Sequence, residues 1–91
     1  LLNMWGASGS APGQMYYPYD LVLDGLGHVY VCEYGNHRVQ KFSLDGESLA
    51  CWGTGGRDSG QLHNPWALAY DSQGSLHVLD TNNHRVQRIV L

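Results

Sequence analysis

The sequence predicts an all-β protein, a β-propeller built from four-stranded antiparallel blades with two blades in each chain. The main observation is an internal repeat: residues 36–40 (Asn-His-Arg-Val-Gln) return unaltered at 83–87, a step of 83 − 36 = 47 residues. Aligning 1–44 with 48–91 needs no gap, and 17 of the 44 positions are identical. A period of this length is typical of propeller blades or solenoid units. No window shows helical periodicity, and four short strands per period favour the propeller.

The first copy contains candidate strands separated by turn-forming residues. In chain order we expect strands at 1–5, 19–24, 28–33, 37–43 and 48–52. The segment 28–33 has apolar side chains at consecutive positions, which is typical of a strand covered on both faces. Residues 24–27 form a glycine-containing turn, and Asp45-Gly46 is a hairpin signal. The loop 6–13 is too rich in Gly, Ser and Pro for regular structure.

The second copy repeats this series after a loop at 53–65, and it predicts strands at 66–71, 75–80 and 84–90. We therefore divide the chain into strand four of one blade at 1–5, a complete blade at 19–53 and strands one to three of the next blade at 66–90. In this division the chain starts on a fourth strand and stops after a third.

Two blades have four broad faces and can bury only two of them against each other. The other two would expose apolar patches larger than soluble monomers tolerate, and unpaired strand edges would remain. Heterologous contacts repeated about an axis close a ring. We therefore expect a homo-oligomer, three chains giving six blades, in which Leu1, Leu2, Met4 and Trp5 form an intermolecular strap on the third strand of a neighbour. The alternative is that these residues are a piece of a longer natural chain.

Composition narrows the choice of partners. Five Lys/Arg against eight Asp/Glu give a net charge of −3, and the basic residues form no run, which argues against nucleic acid. No apolar stretch approaches the ~18 residues of a membrane span and no signal peptide opens the chain, so we expect no membrane partner. Localisation stays open, with these absences favouring an intracellular protein. Cys32 and Cys51 align with Leu79 and Met4, so we expect buried free thiols, a disulfide being the alternative.

Two segments carry a family resemblance. Residues 27–42 (Gly-His-Val-Tyr-Val-Cys-Glu, then Asn-His-Arg-Val-Gln-Lys-Phe after Tyr-Gly) and their counterparts at 74–89 resemble the NHL repeat. The resemblance covers essentially the whole chain and implies a six-bladed propeller, in agreement with three chains. Departures are Glu33, where most repeats have Asp, and Tyr34-Gly35, which replace a more usual Thr-Gly or Thr-Asn.

The residues of the repeat motif recur once per blade, which makes a structural role the first expectation. These residues are Glu33, Asn36, His37 and Arg38 in the first copy, and Asp80, Asn83, His84 and Arg85 in the second. We expect the acids, amides and arginines to form a hydrogen-bond network that holds the turns, and the imidazoles to bridge adjacent turns. The alternative is a carboxylate ring that coordinates calcium.

The remaining histidines and the aromatic residues offer two weaker site candidates. His28, His63 and His77 occupy different phases of the repeat, so they form no metal set within one chain, and only His63 at a symmetry axis is a metal candidate. An aromatic group clusters where each long loop enters the innermost strand. Its members, Tyr16, Tyr17, Tyr19, His63 and Trp66, form the candidate binding surface at one mouth of the central channel. Blade-to-blade packing is the alternative role for them.

The sequence thus favours a non-enzymatic, self-assembling scaffold, a natural fragment or an engineered two-blade chain, that binds protein or peptide and needs no cofactor. No Ser-His-Asp or Cys-His set can be assigned, and the glycine-rich loops lack a phosphate-cradle pattern. The family resemblance adds two alternatives, because related propellers include RNA-binding modules and lyases or lactonase-like hydrolases with a metal in the channel. It implies the fold more closely than the function.

Overall fold

The computed structural model describes residues 3–91, which form two antiparallel sheets and almost no helix. The first sheet, here the first blade, contains β1 (Pro18–Leu23), β2 (His28–Glu33), β3 (Arg38–Ser43) and β4 (Ser48–Trp52) in spatial order. The second blade contains β5 (Pro65–Tyr70), β6 (Ser75–Asp80) and β7 (Arg85–Val90), with a short 3-10 helix at Thr81–Asn83. Outside residues 1–5, each strand end lies within one residue of its predicted position, because Gly turns and β-branched runs delimit these strands.

Each blade has two chemically distinct faces, because neighbouring side chains on a strand point to opposite sides. In the first blade, Leu21 pairs with Val31 and Val29 with Phe42, and these residues form what we call the leading face. Val22, Tyr30, Cys32 and Val39 form the opposite, trailing face. The 47-residue step carries the leading face onto Leu68, Val78, Leu76 and Ile89, and the trailing face onto Ala69, His77, Leu79 and Val86.

The trailing face of the first blade packs on the leading face of the second, and this contact, which we call the internal joint, contains the main core. Its buried members are Tyr30, Cys32, Val39, Leu62, Leu68, Leu76 and Val78. Trp52 and Ile89 are partly buried and pack against this core. The innermost strands β1 and β5 lie side by side across the joint. Two sheets stacked face to face with adjacent first strands are the arrangement of neighbouring propeller blades.

The other two blade faces have no blade against them within the chain. On the leading face of the first blade, Leu21 is 57% exposed, whereas its counterpart Leu68 in the internal joint is 8% exposed. On the trailing face of the second blade, Val86 is 60% exposed and its counterpart Val39 is fully buried. On the leading face the other members, Val29, Val31 and Phe42, are buried, and Trp5 and Met15 pack against them. The apolar residues that remain accessible are therefore Leu21 on the leading face and Leu79 and Val86 on the trailing face.

The described part of the predicted strand at 1–5 is residues 3–5. Residues 3–5 have no strand pairing, and Trp5 instead lies over Phe42 with the two ring centroids 4.8 Å apart. Trp5 and Met15 still cover part of the first leading face, at the positions that Trp52 and Leu62 hold in the internal joint. Leu1 and Leu2, the other strap residues, lie outside the described residues.

Candidate functional site: the loop-bearing end of the blades

The carboxylate of Glu33 is the centre of a hydrogen-bond network at the end of β2. It is fully buried and accepts hydrogen bonds from Asn36 Nδ2 (2.8 Å), Arg38 Nε (2.8 Å) and Gln40 Nε2 (2.9 Å). The backbone N–H of Tyr16 also donates to it (3.3 Å). A buried carboxylate is tolerated here because its oxygens are occupied by charged and neutral donors.

Asp80 repeats this arrangement at the end of β6. Its buried carboxylate accepts from the His63 backbone N–H (2.7 Å), Asn83 Nδ2 (3.0 Å) and Arg85 Nε (2.8 Å), and from a glutamine of β7. Burial alone would raise the pKa of Asp80, but these hydrogen bonds outweigh it and lower the pKa. Aspartate and glutamate therefore serve the same position, so the departure at Glu33 leaves the network intact.

The same motif residues hold the long loops through main-chain oxygens. Arg38 donates to the carbonyls of Ser10 (2.7 Å) and Gln14 (2.8 Å), and Asn36 donates to that of Gly9 (2.9 Å). In the second blade Arg85 donates to the carbonyls of Asp58 and Gln61, and Asn83 to that of Gly56. The motif thus fixes the path of each loop against the end of its blade.

The histidine of the first motif contacts the next blade, whereas the other motif residues contact their own blade and loop. His37 Nδ1 accepts a hydrogen bond from the backbone N–H of Asn64 (3.0 Å), in the loop that enters β5. Burial, and secondarily the neighbouring His63, lower the pKa of His37. His84, its counterpart, is exposed, and its ring has no hydrogen bond within residues 3–91. One imidazole therefore bridges the internal joint, and the other faces solvent at an open end.

The candidate binding surface divides into three groups. Tyr19 and Trp66 meet edge to face (centroids 5.1 Å apart), and Tyr34 stacks on Tyr19 at 4.8 Å. Tyr16 and Tyr17 pack on each other, while the His63 ring lies against His37, 5.2 Å between centroids. Tyr34 was not among the residues predicted for this surface. Its position in the turn after β2, at the same end as the long loops, is the sequence feature that indicates its place there.

The exposure of this aromatic surface allows contact with a partner. Tyr16, Tyr17, Tyr19 and Trp66 are each about half exposed, between 46% and 57%. Tyr19, Tyr34 and Trp66 also pack across the internal joint, from β1 and its neighbouring turn to β5. These side chains therefore combine the two roles that the sequence analysis set against each other, packing between blades and presenting an aromatic surface.

A second polar cluster, which the sequence analysis missed, lies at the opposite end of the first blade. Asp24 Oδ2 contacts His28 Nδ1 (2.7 Å) and accepts from the Tyr30 hydroxyl (3.0 Å). Burial would raise the pKa of Asp24, but hydrogen bonds from the Leu26 N–H and these side chains lower it to about 2. Burial and the nearby carboxylate raise the pKa of Tyr30 to about 12. In the second blade His77 contacts Asp71 in the same way (2.8 Å).

Because the folded state favours the ionised Asp24, its stabilising effect should be complete above the ordinary pKa of 3.8 and disappear as pH falls through about 2. We expect the thermal midpoint of the wild type to exceed that of Asp24→Asn at pH 5, and this gap to narrow towards pH 2. Thermal unfolding by circular dichroism measures both. A gap that stays constant over this range would contradict the assigned hydrogen bonds.

The cysteines differ in environment. Cys32 is a buried free thiol in the internal joint, and burial raises its pKa to about 12. Cys51 is also free but exposed, so the expectation that both thiols are buried is wrong for Cys51. It lies on the outermost strand of the first blade, which nothing covers within the described chain.

No group of three or more His, Cys, Asp or Glu side chains in residues 3–91 is placed to hold a metal ion, and the ring of His63 lies against that of His37. No helix in the described part of the chain is long and apolar enough to cross a membrane.

Comparison with known proteins places these features in a family. The model of the NHL repeat matches residues 15–42 and 62–89. These ranges contain β1 to β3 and β5 to β7, except for the last residue of β3 and of β7, together with both buried carboxylates. No curated protein matches the sequence. NHL repeats indicate a β-propeller-type protein-interaction module in general. The two matches span more than half of the chain, which therefore belongs to the NHL repeat family.

Proposed function

We propose that this chain is a non-enzymatic scaffold that assembles with copies of itself into a closed propeller and offers its loop-bearing end to a protein or peptide. The observation that carries the proposal is the match between the internal joint and the two open faces. The leading face is open in the first blade and buried in the second, whereas the trailing face is buried in the first blade and open in the second. One copy can therefore dock on another as its own blades dock.

The open leading face has room for such a partner. A groove of about 760 Å³ lies over Leu21, Val29 and Val31 and is bounded by Trp5 and Met15. In the internal joint the counterparts of these residues pack against Tyr30, Cys32 and Val39. The trailing face of another copy supplies His77, Leu79 and Val86 at the matching positions. Burying apolar side chains from both copies favours association by roughly 25 cal/mol for each Å² removed from water.

Three copies are the number we expect, because NHL propellers usually have six blades and each chain supplies two. Light scattering measures this directly. We expect a mass of about 30 kDa, three times the 10.1 kDa of one chain. A mass of four chains would indicate a ring of eight blades, which changes the number of copies and leaves the proposed self-assembly in place. A mass of 10.1 kDa at micromolar concentration would contradict self-assembly.

The aromatic surface is the proposed contact for a protein or peptide. Exposed Trp and Tyr side chains that are held in place by neighbouring rings contribute most of the energy in many interfaces. Trp66 is 51% exposed and held edge-on by Tyr19 and Tyr34, which restricts its motion before binding.

The test uses peptides selected from a random library on the immobilised wild-type protein. We expect Trp66→Ala to weaken the selected peptides by tenfold or more, about 2 kcal/mol, the typical effect of a hot-spot residue. Leu26→Ala is the control, because Leu26 is more accessible than Trp66, at 75% exposed, but lies in the turn at the opposite end. Equal binding by wild type and Trp66→Ala would place the peptide site elsewhere.

A further inference from the structure

The internal joint contains a specific polar contact at its loop-bearing end. His37 and Asn64 both adopt left-handed backbone conformations, with φ of 53° each, and the Asn64 N–H donates to His37 Nδ1. The Asn64 side chain also donates to the carbonyl of Tyr34 (2.9 Å). A left-handed backbone conformation is uncommon in residues other than glycine. Its presence at both the donor and the acceptor residue indicates that this hydrogen bond requires a specific backbone geometry.

Each open end of the chain contains one half of this contact. His84 is the counterpart of His37 and has φ of 54°, and Tyr17 is the counterpart of Asn64 and has φ of 50°. Both halves thus adopt the backbone conformation of the internal joint without a partner present. Within residues 3–91, the Tyr17 N–H and the His84 ring make no hydrogen bond.

We infer that copies of this chain join through a hydrogen bond from the Tyr17 backbone N–H of one copy to the His84 imidazole of the next, and that this bond sets their register. This inference rests on the proposed self-assembly and adds the residues that join the copies. The register follows from the internal joint: Leu21 and Val31 of one copy meet Leu79 and Val86 of the next.

The contact requires an unprotonated imidazole, because only a neutral ring has a nitrogen lone pair that can accept the N–H. At the internal joint, His37 faces His63 from the second blade. At the joint between copies, Tyr16 occupies the place of His63, so the neighbour presents Tyr16 and Tyr17 to His84. On the turn of His84 itself, Asp80 and Arg85 are paired with each other. No second imidazole therefore faces His84 there.

These surroundings give the joint a pH dependence. The internal example, where the pKa of His37 is lowered from the ordinary value of 6.5, supports the direction. Protonation of the acceptor ring removes the hydrogen bond, because a protonated imidazole has no free lone pair. Acidification should therefore separate copies at the His84 contact.

The experiment measures the midpoint concentration of dissociation by light scattering on dilution at pH 7.5. His84→Asn removes the ring, while asparagine tolerates the left-handed backbone. One lost hydrogen bond weakens each joint about fivefold, so we expect a roughly tenfold higher midpoint for a three-joint ring. The matched control is His63→Asn, an exposed histidine at the same end whose ring makes no hydrogen bond within the described residues, and it should leave the midpoint unchanged.

Tyr17→Asn supplies a second, opposite test. The substitution places at position 17 the residue type that Asn64 provides in the internal joint. The new side-chain amide can donate to the Thr81 carbonyl of the next copy, as Asn64 donates to the Tyr34 carbonyl. We expect its midpoint to fall severalfold. Lowering the pH from 7.5 to 5.5 should raise the wild-type midpoint more than that of His84→Asn.

The outcomes separate the two proposals. A wild type that remains a single chain overturns self-assembly and the contact with it. If the wild type forms a ring, and His84→Asn and His63→Asn dissociate at the same midpoint as each other while Tyr17→Asn does not lower it, self-assembly stands and the contact is overturned. Equal pH dependence in wild type and His84→Asn would also overturn it.

Discussion

Replacing Glu33 with alanine is expected to lower the free energy of unfolding by about 3–5 kcal/mol, the usual effect of breaking a buried ion pair. The substitution removes the acceptor for four donors and leaves the Arg38 guanidinium, whose side chain is 11% exposed, without its anion. A loss of this size is comparable to the total stability of many small domains. Urea unfolding followed by circular dichroism measures it.

Two variants serve as references for this result. Glu47→Ala removes an exposed carboxylate near the β3–β4 hairpin and should change stability by no more than about 0.5 kcal/mol. Glu33→Asp should retain much of the stability, because Asp80 binds the corresponding set of groups in the second blade. A loss below about 1 kcal/mol for Glu33→Ala would mean that the network contributes little.

Replacing Leu79 with aspartate is expected to reduce the assembly to single chains, because it would bury a carboxylate without a partner at the joint between copies. Leu79 is 42% exposed in the single chain, so the substitution leaves the fold of each copy intact. Leu21→Asp should have the same effect through the opposite face. Light scattering is expected to give 10.1 kDa for either variant alone.

A mixture of these two variants tests the direction of docking. Each still has one intact face, and the two intact faces are complementary, so equal amounts should form a two-chain species of about 20 kDa, twice 10.1 kDa. Leu26→Asp, in the turn between β1 and β2, is the control and should assemble as the wild type does. A mixture that stays monomeric, or a Leu79→Asp variant that still assembles, would refute docking of the trailing face on the leading face.

Much of the fold could be predicted from the sequence, because its determinants are local. The strands at 28–33 and 75–80 have the β-branched and aromatic residues, and the flanking glycines, that define a strand and its ends. The repeat then carried each assignment from one copy to the other. Residues 3–5 differ, since they have no strand pairing in the single chain. A strand also requires a neighbouring edge, and the sequence alone does not show which chain provides it.

The site was harder to predict, because its contacts depend on how the blades pack. The sequence placed His37 at the start of a strand and anticipated that its ring bridges adjacent turns, but only the packed structure identifies Asn64 as its partner. Tyr34 joins Tyr19 and Trp66 for the same reason. The contact of Asp24 with His28 is local, but residue types and spacing in a turn do not show which side chains converge there.

The way in which the motif holds the long loops has a consequence for how the protein can change. Arg38, Asn36 and their counterparts bind only main-chain oxygens of the loops, and the two loops follow equivalent paths although Ala7-Ser8 in one corresponds to Thr54-Gly55 in the other. Loop side chains can therefore diversify while the framework stays constant. New recognition properties can arise at that end of the blades without redesign of the sheets beneath.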